Sequence, residues 1–251
     1  MLSSTLKQAL IILFLLTGFF ISNNVSGQYL GKKNTIKLNL TSPVIFGSKA
    51  LILGYERVIG KKQSFCISVG AMSLREFLRG QENDSIRLNG NSKPKGFNIS
   101  GEYRFYLSKE NKFEAPRGVY VGPYYAYNYM GRTNTWDLNT STFKGQVSTD
   151  LSLKVHTIGA ELGYQFVIWK KLAIDLVLAG PGVGFYSVNA KINSNFDQQT
   201  QELFFEKLND YLGEKIPGYD LVINADEMKK TGNFKTTALG FRYVANIGFR
   251  F

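Results

Sequence analysis

Residues 237–251 alternate without a break. Leu239, Phe241, Tyr243, Ala245, Ile247, Phe249 and Phe251 share one parity, and Gly240, Arg242, Val244, Asn246, Gly248 and Arg250 share the other. Successive side chains of a β-strand point to opposite faces, whereas a helix would mix the two sets. The segment therefore reads as a strand with one aliphatic and aromatic face. Its opposite face carries two arginines, an asparagine and two glycines. This is the lipid-out, lumen-in division of a membrane barrel strand. A soluble β-protein with a charged exterior and an apolar core gives the same alternation, so parity alone does not choose between them.

The same period divides the chain into eight strands at about 33–42, 49–59, 63–74, 96–108, 117–130, 151–168, 172–190 and 236–251. Leu51, Leu53 and Tyr55 oppose Gly54 and Glu56, and Phe97, Ile99, Tyr103 and Phe105 oppose Asn98, Ser100, Glu102 and Arg104. Ile158, Ala160, Leu162, Tyr164 and Phe166 oppose Glu161 and Gln165, and Ile174, Leu176 and Leu178 oppose Asp175. Gly180-Pro181-Gly182 interrupts the alternation and predicts a bulge or bend. The connections at 60–62, 109–116 and 169–171 are short, whereas 75–95, 131–150 and 191–235 are long and polar. An even strand count with tight turns at one end and long loops at the other predicts an all-β, eight-stranded antiparallel up-and-down transmembrane barrel with both termini in the periplasm. Tyr124, Tyr125, Tyr127 and Tyr129 are expected at an interfacial girdle. Tyr243, Ile247, Phe249 and Phe251 form a terminal aromatic pattern similar to the signal that outer-membrane barrels present to their assembly machinery.

The N-terminus agrees with export. Lys7 precedes an apolar run from Ala9 to Ile21, shorter than the roughly 20 residues of a membrane helix, and polar residues follow up to Gly27. Residues 1–27 read as a signal peptide cleaved before Gln28, leaving 28–251 as the barrel. The full chain carries a formal net charge of +11. An exported basic protein meets anionic lipid and lipopolysaccharide rather than nucleic acid. Arg75, Arg79, Arg87, Lys93 and Lys95 form a basic outer loop that either touches lipopolysaccharide phosphates or is simply solvated, since Glu76, Glu82 and Asp84 lie among them. Cys66 is the sole cysteine, so no internal disulfide forms, and a small packed side chain is its expected role.

Lumen parity collects Glu56, Glu102, Glu161 and Asp175 with Lys37, Arg104, Arg242 and Arg250. An eight-stranded barrel is narrow enough for side chains to fill it, and charges packed there must pair. A structural salt-bridged plug is expected, with a gate as the functional alternative. No catalytic, metal or cofactor site is expected. His156 is the only histidine, with no neighbouring serine or acid in a hydrolase pattern. Gly180–Gly184 lacks the lysine and following helix of a phosphate loop. The 191–235 loop carries its own amphipathic helix at about 196–212, capped by Asn195 and Gln198 and ended by Gly213. Its apolar stripe packs on the barrel mouth or offers a face to a protein partner.

Lys33–Leu40, Gly54-Tyr55-Glu56-Arg57, Gly101–Leu107 and Gly118–Tyr124 together resemble the uncharacterised outer-membrane β-barrel proteins common in Bacteroidota, small eight-stranded barrels of the OmpA/OmpX kind. The resemblance implies compartment and fold and brings no catalytic residue. The function expected is that of a non-enzymatic outer-membrane barrel in envelope integrity or surface interaction. A narrow porin-like channel, a lipid-modifying enzyme and a secreted lipocalin-like barrel are the alternatives.

Overall fold

The computed structural model describes residues 32–72, 86–107, 109, 113–139, 144–193 and 233–251. The expected signal peptide and the expected 196–212 helix lie outside these residues. Eight antiparallel strands follow one another in chain order: β1 (Asn34–Asn39), β2 (Leu51–Gly60), β3 (Gln63–Ala71), β4 (Ile86–Tyr106), β5 (Gly118–Asn139), β6 (Lys144–Ile168), β7 (Leu172–Asn193) and β8 (Asn233–Arg250). Each strand pairs with the next, and β1 returns to β8 with Lys37 opposite Gly248, which closes the barrel. Among the described residues no helix is long and apolar enough to cross a membrane.

Three strands, β4 to β6, are much longer than their alternation predicts, and β7 is slightly longer. β4 starts at Ile86 rather than 96, β5 runs to Asn139 rather than 130, β6 starts at Lys144 rather than 151, and β7 runs to Asn193 rather than 190. Much of the expected 75–95 and 131–150 loops is therefore paired strand. The added pieces are polar on both parities, as in Thr133-Asn134-Thr135 and Ser148-Thr149-Asp150. With polar residues on both faces the sequence shows no alternation of apolar side chains, yet the backbone ladder continues and the inward Asn134 and Thr149 are buried. β1, β2 and β3 have only 6, 10 and 9 residues, so β4–β7 stand past them at the end away from the termini.

Between β1 and β2, where a short loop is expected, the chain makes one short helix, α1 (Thr41–Phe46). Asn39 Oδ1 accepts the Ser42 N–H at 2.7 Å, and Thr41 Oγ1 accepts the Ala245 N–H at 2.8 Å. The first contact supplies one of the donors that a helix start leaves open. The second satisfies β8 where β1 has stopped.

The interruption expected at 180–182 begins slightly earlier. Leu162 faces Ala179 while Gly163 faces Val177, so Leu178 is the extra residue of a bulge. Inward parity passes from Ala173, Asp175 and Val177 to Gly180, Val188 and Ala190 across it. One inserted residue reverses every later side chain of a strand.

The closing register is directly testable. In a Cys66→Ala background, cysteines replacing Ile36 and Phe249, which are opposite in register, should be joined in high yield by a short bifunctional thiosulfonate. Cysteines at Ile36 and Tyr243 should not, and equal yields from the two pairs would contradict the closure.

Candidate functional site

Inside a closed barrel each inward side chain faces the strands across the lumen, so residues distant in sequence converge. Lys37 on β1, Glu56 on β2, Glu102 and Arg104 on β4, Glu161 on β6, Asp175 on β7 and Arg242 on β8 form one network. Lys37 Nζ lies 2.9 Å from Glu56 Oε2 and 2.7 Å from Asp175 Oδ2. Arg104 Nη1 lies 2.9 Å from Asp175 Oδ2 and 3.8 Å from Glu56 Oε1. Arg104 also pairs with Glu102, which pairs in turn with Arg242. Lys37, Arg104, Glu56 and Asp175 are no more than 2% exposed.

Uncharged partners complete the cluster. Gln165 Nε2 donates to Glu56 Oε2 at 3.0 Å, and Gln165 Oε1 accepts from Lys37 at 2.9 Å and from Arg104 at 3.3 Å. Ser64 and Tyr106 hydroxyls donate to Glu56 Oε1 at 2.6 and 3.0 Å. Tyr120 and Asn246 donate to Asp175 at 2.7 and 3.1 Å. Desolvated carboxylates need these donors as well as cations, because an ion pair alone rarely offsets the loss of water. Glu161 is the exception. Its carboxylate makes no hydrogen bond and is held by charge alone, 3.4 Å from Arg104 Nε and 3.7 Å from Arg242 Nη1.

Two tyrosine rings fill the remaining space. Arg104 lies over the Tyr120 ring at 4.3 Å and Arg242 over the Tyr124 ring at 4.8 Å, contacts that favour a cation. Room for Tyr120 comes from Gly163, where an added Cβ would fall 2.3 Å from the ring. The Tyr124 hydroxyl donates to the Gly180 carbonyl at 3.0 Å.

The eighth charged residue of the expected set stands apart. Arg250, at the end of β8, donates to the Lys32 carbonyl at 2.6 Å and pairs with none of the other seven. It shares their parity but lies two steps of the alternation below Asn246, outside ion-pair distance of the acids. Tyr124 also departs from expectation: it is buried in the lumen, while Tyr125, Tyr127 and Tyr129 keep the outward parity of β5. Tyrosine suits a membrane interface and a polar interior equally, so its type does not assign its side. Tyr243, Ile247, Phe249 and Phe251 all point outward and are exposed. Cys66 is a buried thiol facing the lumen. His156 is on the outer face, with Nδ1 2.8 Å from the Tyr125 hydroxyl.

Charge on the inward parity pointed to the ionic members, and the uncharged ones sat on the same parity. Gln165, Tyr106, Tyr120, Ser64 and Asn246 lacked only a feature that singles out polar neutral residues. The network can fix the barrel's interior and block it.

The sequence profile of a family described as "Protein of unknown function (DUF3575)" matches residues 10–222. The chain belongs to this DUF3575 family. No curated protein matches it. The crystal structure of a major outer membrane protein from Thermus thermophilus is similar over 87% of this chain and 98% of that chain, at 11% identity and a TM-score of 0.37. The barrel itself is established by the strand pairing described above.

Removing one member of the network strands its partners in a dry interior. Lys37→Met should lower the unfolding free energy by about 3–5 kcal/mol. Arg250→Met, which breaks a single hydrogen bond, should cost about 1 kcal/mol. Urea titration of detergent-folded protein, followed by tryptophan fluorescence, compares them; equal losses would show that the network holds nothing together.

Proposed function

We propose that this chain is a non-enzymatic outer-membrane β-barrel with a salt-bridged, closed lumen, serving envelope integrity or surface interaction. One observation carries the reading: the barrel is inside out relative to a soluble protein. Its charges are in the middle, and all eight strands carry exposed large apolar side chains. Examples are Ile36, Leu51, Val69, Phe97, Tyr125, Ile158, Leu178 and Phe241. A continuous belt of this kind exceeds what water-soluble surfaces carry and matches the outward face of a membrane barrel. A lipocalin-like barrel would place these residues in its cavity.

The height of the belt is also appropriate. From Phe105 to Phe97 on β4, eight residues of strand cover about 26 Å, and a tilt near 40° reduces this to about 20 Å. With the flanking side chains this approaches the roughly 25 Å apolar band of outer-membrane barrels. Tyr129 is level with the far ends of β2 and β3, through Phe97, Ala71 and Leu51, and Tyr127 and Tyr125 follow one and two steps of the alternation below it. Trp169, with Lys170 and Lys171, lies in the turn at the opposite end. Amphipathic rings at both edges are the expected anchors. Parts of β4–β7 beyond the tyrosines stand clear of the hydrocarbon, in reach of lipopolysaccharide headgroups or of another molecule.

The filled lumen favours closure over conduction. Purified protein in planar bilayers should show no steady conductance. In cells it should sediment with the outer membrane, and unheated and boiled samples should differ in electrophoretic mobility. Recovery in the soluble fraction with a single mobility would overturn the membrane reading, and steady channel openings would overturn the closed lumen.

A further inference from the structure

Above the plug, on the side away from the termini, the inward face changes character. Met130 on β5, Leu153 on β6, Val188 on β7 and Phe234 on β8 stand in one register row. Met72 and Ala50 join Met130 from the ends of β3 and β2, with Phe46 of α1 packed against them. This row is an apolar layer across the lumen. One step higher on β5, on the same inward parity, is Arg132, opposite Leu151, which in turn faces Ala190.

Arg132 is 5% exposed, and its Nε and Nη1 are buried with no hydrogen-bond partner among the described residues. A guanidinium removed from water without a counter-charge is strongly disfavoured. The other buried cations of the lumen, Lys37, Arg104 and Arg242, each have carboxylates. Arg132 has none among the described residues. The nearest acids of β5 and β6, Asp137 and Asp150, lie on the outward parity, where they accept from Gln146 and Thr133.

A buried cation with free donors, set directly on an apolar layer, calls for an anion attached to an apolar chain. We infer that Arg132 is the headgroup site of a bound single-chain anionic amphiphile, a carboxylate or phosphate monoester, whose alkyl chain lies against Met130, Leu153 and Phe46. Arg132 binds the headgroup oxygens through Nε and Nη1, an arrangement suited to two parallel hydrogen bonds. The site depends on the barrel's interior alone and holds whether the protein serves the envelope or a surface contact.

Native mass spectrometry of the full barrel released from dodecyl maltoside micelles tests this with four probes: dodecanoate, dodecyl phosphate, dodecanol and inorganic phosphate. At least one of the two charged amphiphiles should bind one to one and more tightly than dodecanol. Whichever of the two binds more tightly identifies the headgroup as carboxylate or phosphate. A charge-assisted bidentate contact contributes about 1.5–3 kcal/mol, so Arg132→Ala should weaken that probe about tenfold to a hundredfold. Arg132→Lys should retain part of the binding, and dodecanol should be unaffected by either change. Heat-dependent mobility of each variant establishes that it has folded. Should Arg132→Ala fail that check, Met130→Glu, which sets a carboxylate beside the guanidinium that pairs with it and repels an anionic headgroup, serves in its place with the same expected loss. Equal binding of charged and neutral probes, undiminished binding by the variant, or binding of inorganic phosphate without preference for the alkyl forms would each overturn the assignment.

Discussion

Four carboxylates and three cations share the lower lumen, and the rest of the molecule is arranged around keeping them there. An ionised side chain in hydrocarbon or in a dry interior is unfavourable by several kcal/mol unless others compensate it. The only place in this chain where seven can be compensated together is the axis of a closed ring of strands. Glu56 illustrates the requirement: it takes Lys37, Gln165, Ser64 and Tyr106 from four different strands. No open sheet could bring these groups to one carboxylate. Closure of the ring and pairing of the charges are therefore a single problem, solved together.

The solution leaves the apolar residues on the outside, which is stable only if something other than water covers them. A belt that includes Phe97, Ile99, Ile158 and Phe241 gives no stabilisation through burial within the chain. In water it would drive association, whereas in a bilayer it sets the depth at which the protein sits. The two halves of the structure are thus complementary: the polar interior stabilises the barrel and the apolar exterior selects its solvent.

Much of this is legible in the sequence wherever the two environments differ. The C-terminal strand, with Phe249 and Phe241 against Arg250 and Arg242, carries apolar side chains on its outer face and polar ones toward the lumen, so its alternation is complete. Eight strands and the ionic residues of the lumen follow from the same rule. The rule weakens where both sides are alike. The upper parts of β4–β7 carry polar residues on both parities and read as loops, and so Arg132, at 131–150, is not grouped with the lumen. It also weakens for residues with two natures: Tyr124 reads as an interface ring and is a lumen ring. α1 is hidden because Asn39 and Pro43 resemble turn residues as much as a helix start. Arg250 follows the parity rule but fails on distance, since parity gives the side and not the depth.

The ring is unequal around its circumference. β6 has 25 residues and β1 only 6, so the ladders on the two sides of β1, to β2 and to β8, are the shortest seams in the wall. Lys37 sits on that short strand and reaches across β8 to Asp175 on β7. The ion pair thus works as a clasp fastened from within, holding together the line along which the hoop would otherwise open.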